Sequence, residues 1–307
     1  MRNAFAEAVT DLASSNKKIV LLSGDIGNRL FDKYRFLFKD RFYNCGIAEA
    51  CMTGVASGLA KSGFIPITYT ITPFNTLRCL EQIKIDICYP NLPSIIVGTG
   101  AGLSYASLGA THHSLDDIGI LRTIPNINII CPSGPNEVKF ALREAINLKK
   151  PVYLRIGKKG EKDICAKERE FKIGKPIKVS GKKGRICIIS SGNILQIAKD
   201  ATMLLNNNNF LTDLYNMHTV KPLNSLFLNR IFKRYELIAI VEEHGYFGGV
   251  TSSILEWANS NNQNISKIIG FGTPDKFLTG YGNQQNAREK TGLSKKNIYN
   301  KIIKYIK

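Results

Sequence analysis

One carboxylate, two adjacent imidazoles and one guanidinium stand where their chemistry has something to act on. Glu49 lies in Gly46-Ile47-Ala48-Glu49-Ala50-Cys51-Met52, at the head of a run (48–61) built largely from Ala, Gly, Ser, Thr and Cys. Side chains that small let a ligand or a neighbouring element approach a helix closely, although Gly54 and Gly58 each cost an isolated helix roughly 1 kcal/mol relative to Ala. A first-turn Glu has two readings: an ordinary residue favoured by the helix dipole, or a proton-handling group at the mouth of a site. His112 and His113 follow a Gly-rich loop (98–109). Neutral imidazole donates and accepts near pH 7, which suits polar catalysis; the alternative is a capping pair ahead of a helix expected from Leu115. Chain neighbours seldom both reach one ion, and no third ligand has suitable spacing, so no metal site is predicted. Arg155 ends an apolar strand and either clamps a phosphate or pairs with an acidic neighbour in the core. His244 reads as holding a loop. No GxGxxG or Walker lysine loop is present, so the chain lacks a self-contained nucleotide cradle.

These groups fall at strand-to-helix junctions, the edge where open parallel sheets bind ligands. Short β-branched runs at 18–23, 65–71, 94–98, 127–130 and 152–155 alternate with helical patterns at 3–14, 48–61, 74–88, 115–122 and 135–148. A second alternating unit has strands at 185–190, 211–217, 237–241 and 265–271 between helical patterns, and it ends in a basic helix at 294–306. Such alternation predicts parallel strands with crossover helices, hence an α/β class with two parallel-sheet, three-layer domains. The pattern breaks after Gly157, where Lys, Glu and Gly dominate. The division read from the chain is a first domain at 1–160, a linker at 161–184 and a second domain at 185–307.

At 307 residues and 44% hydrophobic content the chain supports two real cores. No apolar run is long enough to span a bilayer, and no apolar signal-peptide core opens the chain. Seven cysteines without a CxxC pair read as reduced thiols, with the cytoplasm as the expected compartment. The formal charge of +18 admits nucleic acid, phosphorylated small molecules or an acidic protein partner. The lysines are scattered among Asn and Ile, and no basic helix interleaves with aromatics, so neither nucleic acid nor membrane is the expected partner.

Taken in order, these residues resemble the pyrimidine-binding and C-terminal domains of transketolase. The resemblance rests on Leu22-Ser23-Gly24-Asp25, Gly46-Ile47-Ala48-Glu49, Gly63-Phe64-Ile65-Pro66, Thr111-His112-His113 with Leu121-Arg122-Thr123-Ile124-Pro125-Asn126, and Val241-Glu242-Glu243-His244 with Gly248-Gly249. The family's diphosphate-binding domain, with its metal-binding Gly-Asp-Gly signature, has no counterpart here. The chain therefore resembles the C-terminal subunit of a split transketolase. The resemblance implies thiamine diphosphate as cofactor, with Mg2+ or Ca2+ held by a separate N-terminal, diphosphate-binding subunit, in a dimer of heterodimers. It makes Glu49 the group that hydrogen-bonds the pyrimidine ring nitrogen and Phe74 the aromatic that stacks on the ring. Asp25 and Ile47 are carried over as further cofactor contacts. His112 matches the histidine that contacts the donor's hydroxyl groups, beside His113. Arg155, Arg29 and Arg2 match or lie near positions that bind sugar phosphate.

Two departures stand out. The acidic residue expected four positions before His112 is Leu108, and a phosphate-contacting histidine expected twelve before it is Gly100. The expected activity is transfer of a two-carbon ketol unit from a ketose, or ketose phosphate, to an aldose, with a sugar phosphate or modified sugar as substrate. The rivals are a 2-oxoacid dehydrogenase beta subunit, a relative of 1-deoxyxylulose-5-phosphate synthase, and a regulatory subunit without catalysis.

Overall fold

A computed structural model describes residues 1–27, 29–165, 171–181, 183–280 and 282–306. Among them twelve strands form two sheets. The strands are β1 (Ile19–Ser23), β2 (Phe42–Asn44), β3 (Ile65–Ile71), β4 (Ile95–Thr99), β5 (Asn128–Ile130), β6 (Val152–Ile156), β7 (Ile177–Ser180), β8 (Ile186–Ser191), β9 (Thr212–Asn216), β10 (Thr219–Lys221), β11 (Leu237–Gly245) and β12 (Ile268–Thr273). The first sheet has the order β10-β5-β6-β4-β3-β1-β2, the second β12-β11-β8-β9-β7. β1, β4 and β6 are buried along their whole length, as expected where helices cover both faces of a parallel sheet. Register carries the apolar pattern across: Leu21 faces Ile67, Ile67 faces Ile95, and Ile95 faces Val152.

The covering helices are α1 (Arg2–Ser15), α2 (Asp32–Leu37), α3 (Glu49–Lys61), α4 (Thr72–Asn75), α5 (Leu80–Gln82), α6 (Asp117–Leu121) and α7 (Pro135–Leu148) in the first half. The second half has α8 (Leu195–Asn207), α9 (Ser225–Arg234), α10 (Val250–Ser260), α11 (Gln284–Lys290) and α12 (Lys295–Ile306). Local chemistry sets several ends. Pro135 opens α7, where a missing N–H costs nothing. Asn224 caps α9 by accepting from the Phe227 N–H at 2.8 Å. No helix among the described residues is long and apolar enough to cross a membrane.

Three expectations change. The helix predicted at 74–88 is broken into α4, a 3-10 turn at Leu77–Cys79, α5 and a π turn at Ile83–Cys88. Asn75 is the cause on one side, because its amide bonds the Val97 carbonyl (2.9 Å) and accepts from Thr68 (3.3 Å), which anchors it to β3 and β4. On the other side the Asp86 carbonyl accepts from Ser57 of α3. The predicted linker carries β7, which pairs antiparallel with β9 at the edge of the second sheet, while 166–170 and 182 lie outside the described residues. β10 leaves the second half of the chain to pair antiparallel with β5 in the first sheet. The sheets are therefore parallel with antiparallel edges, and the two halves share one apolar cluster. It joins Ile96, Ile129 and Tyr153 of the first sheet to Ile189, Tyr215 and Ile240 of the second.

His218, in the turn before β10, sits at this seam. Its ring stacks on Phe171 with centroids 4.1 Å apart, and Nδ1 lies 3.0 Å from the Thr219 hydroxyl. Burial pushes its pKa down to about 4 from an ordinary 6.5. A base depressed in the folded state binds fewer protons than in the unfolded chain between those values. Stability therefore falls as pH drops from 6.5 towards 4, by about 3 kcal/mol in full. Urea unfolding at pH 7, 5.5 and 4.5 should show a shallower loss for His218→Gln than for the wild type; parallel losses would remove His218 as the cause.

Candidate functional site

β1, β3, β4 and β6 run parallel, so the segments leaving their C-terminal ends meet at one edge of the first sheet. Glu49 arrives there from the turn after the edge strand β2, and opens α3 as a residue 1% exposed. Arg78 Nη1 donates to Glu49 Oε2 at 2.7 Å, and none of the described residues donates to Oε1. The Arg78 guanidinium also lies over the Phe74 ring, 4.5 Å from its centroid. Phe74, from the turn after β3, meets the His112 ring edge-on at 5.2 Å. The Tyr105 ring also meets His112 edge-on, at 6.0 Å. Glu49, Arg78, Phe74, His112 and Tyr105 thus form one contiguous group.

Gly24, the first residue after β1, passes close behind. A Cβ on Gly24 would lie 3.0 Å from Thr70 Cβ and 3.1 Å from Glu49 Cγ, so this glycine is what lets Glu49 seat against the sheet. Thr70 Oγ1, beside it, is buried without a hydrogen-bond partner. A buried carboxylate with one oxygen uncommitted, an orphaned hydroxyl and an adjacent aromatic face fit an aminopyrimidine: a heteroaromatic ring with donors and acceptors on its rim.

His112 Nδ1 lies 2.9 Å from the Thr111 hydroxyl. Partial burial and the neighbouring His113 both push its pKa down, which favours the neutral ring. His113 points elsewhere. It is buried, with Nε2 3.3 Å from the Ala106 carbonyl, and lines a separate cavity of about 650 Å³ with Asp116, Tyr246 and Phe247. The two rings thus diverge, and no group of His, Cys, Asp or Glu among the described residues could hold a metal ion.

The remaining candidates sort by position. Asp25 is exposed and tied to Asn44, which donates to its carboxylate at 3.1 Å and accepts from its N–H at 3.2 Å. Asn44 also accepts from the Gly46 N–H, so Asp25 braces the turn that launches α3. Ile47 is 79% exposed. Arg29 is exposed and lies in a surface cavity along α1 with Asn3, Thr10 and Lys33, apart from the Glu49 group. Arg2 opens α1 beside the exit of β6, where Met1 Sδ lies 3.1 Å from the Gly157 N–H.

Arg155 resolves towards the second of its two sequence readings. At 3% exposure its Nε donates to Asp117 Oδ2 (2.7 Å), and Nη2 donates to the carbonyls of Ser114 (2.7 Å) and Glu243 (3.1 Å). Tyr153 donates to the same Asp117 oxygen at 2.6 Å. Burial alone raises the Asp117 carboxyl, but Arg155 and His244 outweigh it and hold it below the ordinary range. The guanidinium has no open face for a sugar phosphate within this chain, which corrects the expectation that it binds substrate.

Sequence reasoning missed three site residues. Arg78 had a signal, since it stands four positions after Phe74 at helical spacing. Tyr105 and Lys158 had none: only the folded loop sets the Lys158 ammonium 4.3 Å from the Tyr105 ring centroid. The Glu242-Glu243-His244 motif also proves to be a brace. Glu243 accepts from the Leu103 N–H at 2.6 Å and from Gln284 at 2.8 Å and pairs with Arg288, while Glu242 accepts from the N–H groups of Val250 and Thr251. His244, expected to hold a loop, instead takes the N–H of Gly119 within α6 on Nε2 at 3.3 Å.

The transketolase pyrimidine-binding-domain family model matches residues 1–160, and the transketolase C-terminal-domain model matches 176–298. A protein of Actinobacillus succinogenes named as a subunit of apulose-4-phosphate transketolase is 37% identical over 71% of this chain and 70% of its own length. Its namesake from Phocaeicola vulgatus is 30% identical over 100% of this chain and 97% of its own. A solved structure described as "Split gene transketolase, inactive beta4 tetramer" superposes with a TM-score of 0.90 at 27% identity, covering 99% of this chain and 97% of that one. The 1-deoxy-D-xylulose-5-phosphate synthase of Clostridium tetani is 29% identical over 98% of this chain but only 48% of its own length.

Removing the Arg155 side chain would leave Asp117 buried and unpaired, a change that typically costs about 3–5 kcal/mol. Arg155→Ala should therefore lower the midpoint of chemical unfolding by that order, and Asp117→Asn in the same background should recover part of it. A variant of wild-type stability with only weakened substrate binding would restore the phosphate-clamp reading.

Proposed function

This chain belongs to the transketolase family, as the C-terminal subunit of a split enzyme, and we propose that its Glu49 group forms half of a thiamine-diphosphate site completed by a separate diphosphate-binding polypeptide. The observation that carries the reading is Glu49 itself: a carboxylate 1% exposed, held by Arg78 through one oxygen and beside an aromatic face. When bound, the cofactor supplies the nucleophilic carbon that takes up and passes on a two-carbon unit. Glu49 Oε1 would hold a proton against the pyrimidine ring nitrogen, and Phe74 would give that ring a stacking surface. His112, neutral and half-buried, would hydrogen-bond the hydroxyl groups of the sugar donor. Asp25 and Ile47, exposed at the turn before α3, face the side on which the partner would sit.

The partner would bring the diphosphate ligands and the divalent ion, Mg2+ or Ca2+. Apolar residues on and near α3 give it a surface: Ile47 and Tyr89 are each about four-fifths exposed, with Val55 and Ile85 nearly half. A dimer of heterodimers would place two such surfaces against two partners. The donor is proposed to be a ketose phosphate and the acceptor an aldose, in keeping with relatives named for apulose 4-phosphate. The seven cysteines, without a CxxC pair, suit a reducing cytoplasm.

Three results test this. The purified chain should show no ketol transfer; co-purified with its partner, thiamine diphosphate and Mg2+, it should consume hydroxypyruvate as donor in preference to pyruvate. Preference for pyruvate would move the chain to the synthase reading. Glu49→Gln in the reconstituted pair should lower kcat by about 100-fold or more, the scale of a lost proton-transfer group, and retained activity would leave only a regulatory role.

A further inference from the structure

We infer that the Arg78 guanidinium occupies the seat of the cofactor's pyrimidine ring, and that Arg78 must swing out of that seat before the ring can enter. The inference rests on the proposal that the Glu49 group is half of a thiamine-diphosphate site. Two surfaces of this chain are proposed to meet the ring, the Glu49 carboxylate and the Phe74 face. Arg78 already meets both: Nη1 donates to Glu49 Oε2 at 2.7 Å, and Cζ lies over the Phe74 ring, 4.5 Å from its centroid. A guanidinium and an aminopyrimidine are alike in the feature that counts here. Each is a flat, conjugated N–C–N unit with N–H donors on its rim. The arginine thus makes, from within the chain, the contacts proposed for the ring.

The reason for its position lies in Glu49. A carboxylate 1% exposed needs a cation or several donors, because stranding its charge away from water is costly. Among the described residues Arg78 alone donates to that carboxylate. Arg78 comes from the 3-10 turn Leu77–Cys79, where the helix expected over 74–88 is broken and Asn75 pins the chain to β3 and β4. The broken segment turns its side chain back over Phe74, four positions earlier.

The hold is loose where that of Arg155 is tight. Arg155 is 3% exposed and donates to one carboxylate and two carbonyls. Arg78 makes a single hydrogen bond among the described residues, and its side chain is 44% exposed against 2% for that of Glu49. Swinging it into solvent gives up one partly exposed ion pair and one cation–π contact, both modest, while the ring nitrogen returns a partner to Glu49. Glu49 Oε1 and the Thr70 hydroxyl, which Arg78 leaves unpartnered, mark the part of the seat that the guanidinium does not fill. Two occupants thus compete for one carboxylate and one aromatic face. Cofactor affinity is reduced to the fraction of molecules in which Arg78 is out.

The test is calorimetric titration of thiamine diphosphate, in Mg2+, into the chain reconstituted with its partner subunit. Arg78→Met keeps an unbranched stem and removes both the charge and the plane. Its Kd should fall below the wild-type value by about fivefold to thirtyfold, the combined scale of the two contacts that no longer compete. Arg78→Lys keeps a cation for Glu49 but no plane for Phe74, and its Kd should fall by about threefold. Equal or weaker affinity in Arg78→Met overturns the inference and leaves Arg78 as a residue that positions Glu49 for the ring. Should Arg78→Met fail to fold or assemble, Arg78→Lys decides: tighter binding supports the inference, and equal or weaker binding overturns it. A wild-type pair that binds no thiamine diphosphate overturns the functional reading, and this inference with it.

Discussion

A single buried guanidinium joins the parts of this molecule that must not move relative to one another. Arg155 rises from β6 and donates to Asp117 of α6, to the Ser114 carbonyl behind the histidine loop and to the Glu243 carbonyl of β11. Those partners come from three different segments and from both halves of the chain. Desolvating a charge pair is costly, and the attraction between the partners repays it only with good geometry and further hydrogen bonds. Here Tyr153 and two carbonyls supply them. Once formed, such a junction admits one arrangement of the loop that ends in His112, because any slip would strand a charge.

The second half of the chain thereby acts on the site without entering it. Glu243 holds the Leu103 N–H, Gly245 donates to the Leu115 carbonyl at 2.7 Å, and Asn193 reaches the Ala101 carbonyl at 3.3 Å. These contacts grip the loop at its start, near its end and between. Backbone groups of a glycine-rich loop would otherwise bond to water and leave the loop mobile. The shared apolar cluster and the crossing of β10 into the first sheet have the same effect at larger scale: the two halves pack as one body.

The alternation of strands and helices was legible because buried parallel strands need short runs rich in apolar and β-branched residues, and 19–23, 65–71 and 152–156 supply them. Glu49 was legible from its motif, and the chain's own pattern placed it at a strand-to-helix junction. What sequence could not give was partnership. Arg155 admitted two readings until Asp117 was seen 2.7 Å away, and the adjacent histidines diverge because the loop turns between them. The break in the 74–88 helix came from Asn75 bonding to strands far off in sequence, a tertiary contact that overrides local propensity. β2, β7 and β10 are three or four residues long, too short for a period to register.

On the proposed reading, the geometry suits a site completed by a second polypeptide. Glu49 and the Phe74 ring lie at the sheet edge of this chain, and apolar residues on and near α3 stay exposed beside them. Chemistry at a nucleophilic carbon requires that water be excluded, and an open sheet edge excludes it poorly. Burying Ile47, Val55 and Tyr89 against a partner would close the edge and stabilise the assembly by the same contact. Under that arrangement subunit association and catalytic competence are one equilibrium. The chain needs only to keep Glu49, Arg78, Phe74 and His112 in register before the partner arrives, which the Arg155 junction and the glutamate brace from β11 accomplish.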